Sequence, residues 1–135
     1  LADDLPTVTV DKEQMKQVFI NILLNAIQAT PEKGTILVAT RKIVKSNGGP
    51  GFVQVEISDT GIGIPEEELD KIFTPFFTTR AKGSGLGLAI SHQIIQEHEG
   101  TIDVKSVENK GTTFIINLPT NLLILKHNNN DRQVN

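Results

Sequence analysis

Three glycines at alternate positions, Gly83, Gly85 and Gly87, lead directly into an amphipathic segment over residues 89–99. A backbone without Cβ atoms lets its N–H groups approach a ligand closely, and the N-terminal end of the following helix favours negative charge. This combination predicts an anion site that suits a chain of phosphates. The alternative is a flexible linker before an ordinary helix, because the spacing matches neither G-x-G-x-x-G nor the P-loop motif.

An uncharged stripe on a predicted helix is the second candidate. The helix is expected to follow the N-cap Asp11 and to end near Thr30, before Pro31. Its predicted core face consists of Val18, Phe19, Ile22, Leu23, Ala26 and Ile27, extended by Ile20 and Leu24. The remaining face carries only side-chain amides: Gln14, Gln17, Asn21, Asn25 and Gln28. Solvated helix faces usually carry Lys and Glu, so the stripe indicates either a polar ligand or an unusual solvated surface. Facing a ligand, Asn25 would offer a neutral oxygen to a Mg²⁺ that takes its other ligands from phosphates and water.

The third candidate is Asp59, which ends a predicted strand over residues 52–59. The apolar residues of that strand alternate onto one face, and Asp59 continues their register, so its carboxylate is expected at the core-facing end. A buried carboxylate requires a hydrogen-bonding partner. Asp59 therefore either caps the turn that follows or accepts from a ligand, with Gly61 and Gly63 leaving space for a flat ring.

A polar link over residues 78–82 joins a phenylalanine cluster to the glycines. Arg80 and Lys82 in this link would face phosphate oxygens if it forms a lid, although exposed basic residues are commonly just solvated. The cluster itself, formed by Phe73, Phe76 and Phe77, is expected to belong to the core.

The elements that must position these residues are three helices and two hairpins. We predict hairpins from strands at residues 35–45 and 52–59, and at 101–107 and 112–118, with Thr112 facing inward. A short helix is expected at residues 65–72, and the last helix is expected to end at Gly100 as its C′ glycine. Residues 1–119 would form one domain whose first strand, near residues 7–10, is trimmed. Residues 120–135 are expected to be a disordered tail.

The composition of the chain disfavours several kinds of functional site. The chain has 135 residues, no cysteine, a net charge of -3 and only 4% aromatic residues, so disulfides, thiolate metal sites and base-stacking surfaces for nucleic acid are disfavoured. No apolar run reaches the length of a membrane span, so we expect a soluble, cytoplasmic domain without direct membrane contact, even in a membrane-anchored parent protein. His92, His98 and His127 are assigned structural or solvent roles, and His98 lies at the end of the last helix, where a cation would suit the helix dipole.

Four motifs occur in order along the chain: Asn21-x-x-x-Asn25-Ala26, Asp59-x-Gly61-x-Gly63, Phe73-x-Pro75-Phe76 and Gly83-x-Gly85-Leu86-Gly87-Leu88. Their combined order and spacing are far more specific than any single motif. From about residue 4 to residue 119 the chain resembles the catalytic, ATP-binding domain of bacterial sensor histidine kinases, within the GHKL ATPase superfamily.

This resemblance implies the Bergerat fold, an α+β sandwich with a mixed sheet of about five strands and about three helices on one face. It implies that Asn25 coordinates a Mg²⁺ that bridges the phosphates of ATP, and that Asn21 lines the same wall. Asp59 would accept from the adenine amine, joined by Thr112 or else Thr113. The implied nucleotide-binding set is Asn21, Asn25, Asp59, Gly61, Gly63, Ile64, Arg80, Lys82, Gly83, Ser84, Gly85, Leu86, Gly87, Leu88 and Thr112.

The residue at position 21 distinguishes branches of the superfamily. Gyrase, the heat-shock chaperone and mismatch-repair ATPases place a glutamate there as the general base that activates water. An amide cannot accept a proton at neutral pH, so the chain resembles the kinases, in which the γ-phosphoryl group waits for a histidine nucleophile. We therefore expect Asn21 and Asn25 to be the catalytic residues, with slow or absent ATP hydrolysis.

The expected partners follow from the same resemblance. No His-Glu or His-Asp motif precedes Asp11, so the phosphoacceptor histidine is expected on a separate dimerisation domain, and a response-regulator receiver domain would take the phosphoryl group next. Two alternatives stay open. One is a GHKL kinase that phosphorylates serine; the other is a pseudokinase that senses a nucleotide without transferring its phosphate.

Overall fold

A computed structural model describes residues 10–47, 51–77 and 86–120 of the chain. Within these residues there are two α-helices, one short 3₁₀ helix and four strands. In chain order they are α1 (Lys12–Ala29), β1 (Ile36–Ile43), β2 (Phe52–Asp59), the 3₁₀ helix (Glu66–Glu68), α2 (Gly87–Glu97), β3 (Thr101–Val107) and β4 (Gly111–Pro119).

The four strands form one sheet in the order β1-β2-β4-β3, and every neighbouring pair is antiparallel. The two hairpins predicted from sequence are therefore present, with β4 beside β2. The prediction of about five strands in a mixed sheet and about three helices differs from the described elements, in which the third helix is a single 3₁₀ turn. The predicted first strand and the predicted tail lie outside the described residues, apart from Val10 and Thr120.

The N-terminus of α1 has the predicted N-cap but lacks the reciprocal bond of a capping box, in which the Gln14 side chain would accept from the Asp11 N–H. An Asp11 carboxylate oxygen accepts from the Gln14 N–H at 3.0 Å, as an N-cap should. The Asp11 N–H donates instead to Nε2 of His98 at 2.9 Å, while Nδ1 of His98 lies 2.8 Å from the Ile94 carbonyl. The His98 ring thus joins the start of α1 to the end of α2, which is a structural role as expected from sequence.

The end of α2 also differs from the prediction. The residue with left-handed backbone is Glu99, at φ 61°, rather than Gly100. The Gly100 N–H bonds to the Ile95 carbonyl and the Glu99 N–H to the Gln96 carbonyl, which is the Schellman pattern. Gly100 is required for space instead, because a Cβ there would overlap the carbonyl of Asn117.

Both helices pack on the same face of the sheet, where alternate residues of the strands point inward. The buried apolar core consists of Met15, Val18, Ile22, Ala26, Ile57, Ile72, Ile94, Ile95, Ile102, Phe114, Ile116 and Leu118. Ile27, expected in the core, is 58% exposed, and Ile20 and Leu24 beside it are also exposed. The reason is that α1 contacts β2 and α2 on two sides, and no described element covers its third side.

The outer face of the sheet carries a row of side-chain hydrogen bonds that crosses all four strands. Arg41 donates to Gln54 at 3.2 Å, Gln54 to Asn117 at 3.0 Å and Asn117 to Thr101 at 3.1 Å. These residues are direct cross-strand partners. A slip of one residue would turn each of them to the apolar face, so the row reinforces the register that places Asp59 opposite Thr112.

Candidate functional site

The segment after β2 is fixed by its neighbours on three sides. The Thr60 N–H donates to the Thr35 carbonyl, and the Ile62 N–H donates to the carbonyl of Ala29 at the end of α1. The Asn109 N–H, from the β3–β4 turn, donates to the Ile62 carbonyl at 2.6 Å. A loop held by backbone hydrogen bonds on three sides keeps its shape without a ligand, so the groups it carries are preorganised.

Asp59 is 8% exposed and faces the helices from the end of β2. Its Oδ1 accepts from the Gly61 N–H at 2.9 Å and from the Thr112 N–H at 3.3 Å. The capping role considered from sequence is therefore real, but it occupies one oxygen. Oδ2 receives no hydrogen bond from the described part of the chain and is the oxygen with capacity for a ligand.

Thr112 and Thr113 take opposite sides of β4. Thr112 is 5% exposed and lies beside Asp59, whereas the Thr113 hydroxyl lies 2.9 Å from that of Ser58 on the outer face. The Thr112 hydroxyl is 2.8 Å from Oγ of Ser106 on the neighbouring strand. The geometry thus places Thr112, and not Thr113, at the Asp59 end of the site.

Gly61 and Gly63 are required by packing before any ligand is considered. A Cβ on Gly61 would overlap the Ala29 carbonyl, and Gly63 has φ 72° with its missing side chain directed at the Val107 carbonyl. Ile64 follows them, and its N–H donates to Ser106 Oγ at 2.8 Å. Backbone atoms of Ala29 and Val107 therefore occupy part of the space beside these glycines. A flat ring could bind only in the space that is left.

At the opposite end of the α1 stripe, Asn21 joins the two helices. Its Nδ2 donates to the Gly87 carbonyl at 3.1 Å and to Oγ of Ser91 at 3.3 Å. Ser91 is fully buried. One turn further along α1, Nδ2 of Asn25 lies 3.4 Å from the Asn21 carbonyl, a long hydrogen bond that turns the amide nitrogen back along the helix.

The Asn21 contacts predict a marked loss of stability for Asn21→Asp. A carboxylate has no donor, so the hydrogen bond to the Gly87 carbonyl would be lost and an anion would face that carbonyl. The contact with Ser91 would persist only if the Ser91 hydroxyl turned to donate. We expect the free energy of unfolding to fall by about 1–3 kcal/mol, measured by urea denaturation. Gln17→Glu, an exposed amide on the same helix, makes the same charge change and should leave stability nearly unaltered. Equal stability of the two variants would contradict the assigned contacts.

The predicted site residues thus fall into three groups. Asp59, Gly61, Ile64 and Thr112 lie together through the contacts above, with Gly63 in the same loop. Asn21 and Gly87 meet at the helix junction, with Asn25 one turn along α1, and the half-buried Leu86 and Leu88 flank Gly87. Arg80, Lys82, Gly83, Ser84 and Gly85 lie outside the described residues.

α1 connects these two ends. The junction with α2 is at Asn21, and the loop after β2 docks on Ala29, eight residues later on the same helix. At 1.5 Å rise per residue the two docking points are about 12 Å apart along the helix axis, with Asn25 midway between them. α1 thus forms one side of the candidate site. The hydrogen-bond acceptors of Asp59 and Thr112 lie at one end of it, and the N-terminus of α2 lies at the other.

The two histidines within the described residues both make structural contacts. His98 uses both ring nitrogens, and His92 stacks on Phe73 with ring centroids 4.9 Å apart; His127 lies outside the described residues. Among those residues no three His, Cys, Asp or Glu side chains form a group that could hold a metal ion. The amide oxygen of Asn25 is of the type that could hold a Mg²⁺ whose other ligands are phosphates and water.

The fold is that of a GHKL ATPase domain, and comparison with known proteins gives the family. The chain belongs to the Histidine kinase-, DNA gyrase B-, and HSP90-like ATPase family, whose sequence profile matches residues 10–122. The resemblance inferred from the four motifs is confirmed. Within the described residues no helix is long and apolar enough to cross a membrane.

The relatives are sensor histidine kinases. The chain is 47% identical over 120 residues to sensor histidine kinase ZraS of Escherichia coli K12, covering 89% of this chain and 24% of that protein. The solved catalytic domain of histidine kinase ThkA is 41% identical, with TM-score 0.71, over 84% of this chain and 70% of that one. Full-length ShkA, solved with AMPPNP, is 29% identical with TM-score 0.72, over 86% of this chain and 23% of that one. The chain is thus a catalytic domain of histidine-kinase type.

Two serines in the site were missed by sequence reasoning. Ser106 contacts Ile64, Gly111 and Thr112, and Ser91 receives a hydrogen bond from Asn21. A serine in a strand or helix gives no local signal of such a role, since the partners of Ser106 and Ser91 come from other elements or from across a hairpin. The contact between Ser106 and Thr112 could have been found from sequence, because the strands that carry these two residues were predicted to pair.

Proposed function

We propose that this domain binds Mg-ATP along α1 and supplies its γ-phosphoryl group to a histidine on a separate dimerisation domain, for onward transfer to a response-regulator aspartate. The observation that carries the proposal is Asn21, whose amide donates to α2 where an ATPase of this superfamily would need a base. The acceptor set at Asp59 and Thr112 suits the adenine amine, and the α2 N-terminus suits the phosphates. The bound analogue AMPPNP in the related ShkA structure supports nucleotide binding.

The chemistry needs little from the protein beyond positioning and charge stabilisation. A nitrogen lone pair of the neutral imidazole attacks the γ-phosphorus, the bond from phosphorus to the β,γ-bridging oxygen breaks, and ADP leaves with that electron pair. The imidazolium formed then loses its proton to solvent. An amide at position 21 cannot deprotonate water, so water competes poorly with the histidine.

Asn25 is the protein ligand proposed for Mg²⁺, with phosphates and water as the other ligands. Asn25→Ala is expected to lower ADP affinity about tenfold in the presence of Mg²⁺ and to leave metal-free affinity nearly unchanged, because the proposed contact of Asn25 with the bound nucleotide runs through the metal. Titration calorimetry with Mg²⁺ and with a chelator gives both values. Leu24→Ala, an exposed neighbour on α1, is the control. Equal losses with and without the metal would remove Asn25 from the coordination shell.

The function itself is tested by mixing the domain with γ-labelled ATP, Mg²⁺ and the helical histidine-containing domain of its parent protein. We expect acid-labile label on histidine, and little phosphate release when the acceptor is left out. Label on serine would support the serine-kinase alternative, and tight ATP binding without any transfer would support a nucleotide sensor. Brisk hydrolysis by the isolated domain would contradict the kinase assignment. We propose a cytoplasmic site of action, where ATP and the response regulator are found.

A further inference from the structure

We propose that Ser106 is a positioning residue that sets the purine selectivity of the site by fixing the direction of the Thr112 hydroxyl. The inference rests on the proposed nucleotide site. Ser106 lies on β3 directly opposite Thr112 on β4, and the two hydroxyl oxygens are 2.8 Å apart. Ser106 has no need to touch the ligand, since it would act through the threonine.

The hydrogen atoms around Ser106 can be counted. Its Oγ accepts from the Ile64 N–H at 2.8 Å and lies 3.0 Å from the Gly111 carbonyl, which can only accept. If the single Ser106 hydrogen goes to Gly111, the Thr112 hydroxyl donates to Ser106 and three hydrogen bonds form. If that hydrogen goes to Thr112 instead, the Gly111 contact is lost and only two form. The first arrangement is favoured because it satisfies one more polar group.

The favoured arrangement decides what Thr112 can offer a ligand. With its hydrogen committed to Ser106, the Thr112 hydroxyl presents only lone pairs, and the Asp59 carboxylate beside it is also an acceptor. A base edge that carries an amino group, as adenine does, finds partners directly or through water. A base edge that carries a carbonyl oxygen, as hypoxanthine and guanine do, meets acceptors only. Ser106 thereby prevents Thr112 from rotating to donate to the wrong purine.

The test compares ADP with inosine diphosphate, which replaces the 6-amino group by a carbonyl oxygen. Both dissociation constants are measured by titration calorimetry for the wild-type domain and for Ser106→Ala. In Ser106→Ala the freed Thr112 hydroxyl can donate, so the preference for ADP should shrink about fivefold. Ser106→Thr keeps a hydroxyl at this position and should restore the preference.

Ser58 provides the matched control, because its hydroxyl pairs with Thr113 in the same cross-strand manner on the opposite face of the sheet. Ser58→Ala should leave the ADP preference unchanged. In a Thr112→Val background, Ser106→Ala should no longer alter the preference. Equal weakening of both ligands by Ser106→Ala would show a merely structural role and overturn the inference.

Failure of the two proposals can be told apart. If the wild-type domain binds ADP but Ser106→Ala leaves the preference unchanged, the role of Ser106 alone is refuted. If the wild-type domain binds neither nucleotide, the proposed function fails and this inference with it. Should Ser106→Ala not fold, Ser106→Cys gives the same comparison, because a thiol is a weak donor and a weak acceptor.

Discussion

Replacing Asp59 by Asn is expected to lower the affinity for ADP about a hundredfold while leaving the fold intact. The structure fixes which way the new amide would turn. Oδ1 of residue 59 accepts from the backbone N–H groups of Gly61 and Thr112, so the amide oxygen of Asn must take that place. The NH₂ group is then left where Oδ2 lies, and it would oppose the amino group of adenine as donor against donor.

Titration calorimetry with ADP measures this loss, and thermal unfolding shows that the domain is folded. Asp103→Asn is the matched control, because it removes the same charge from an exposed position on β3. The control should bind ADP like the wild type. If Asp59→Asn also binds ADP normally, the carboxylate does not contact the base and the proposed orientation of the nucleotide is wrong.

Gly111→Ala is expected to lower the free energy of unfolding by about 3 kcal/mol or more, the larger stability effect among the variants proposed. Gly111 has φ 132°, a conformation that residues with side chains rarely adopt, and its Cβ would overlap the carbonyl of Asp59. The strain and the overlap act on the strand pair that aligns Asp59 with Thr112. Domains of this size have stabilities of roughly 5–15 kcal/mol, so the loss would be a large fraction of the total.

Urea denaturation of Gly111→Ala beside Gly87→Ala gives the sharpest comparison. Gly87 lies in the first turn of α2, and a Cβ there would come no closer than 3.6 Å to Asn21. The same chemical change should therefore cost no stability at Gly87. Similar destabilisation at both positions would show that the β3–β4 turn does not require a glycine for the reasons given.

The helix and strand assignments were largely predictable from sequence because their signals are local. Asp11 caps α1 as predicted, and β2 and β3 have the predicted bounds, since alternation and capping depend on residues a few positions apart. The family was equally accessible, because four motifs in order carry more information than the chemistry of any one. Ile27 was misassigned to the core because periodicity defines an apolar face without showing which parts of it are covered.

Only the tertiary structure decided which hydrogen bonds each polar group makes with its neighbours. Sequence alone indicated Asp59 and Asn21 as site residues, but it did not show that one oxygen of Asp59 is already bound or that the Asn21 amide joins α1 to α2. His98 accepting from Asp11, and Ser106 positioned to orient Thr112, arise from contacts between elements distant in sequence or paired across a hairpin. Residue type determines which hydrogen bonds a group can make, and only the fold determines which of them are used.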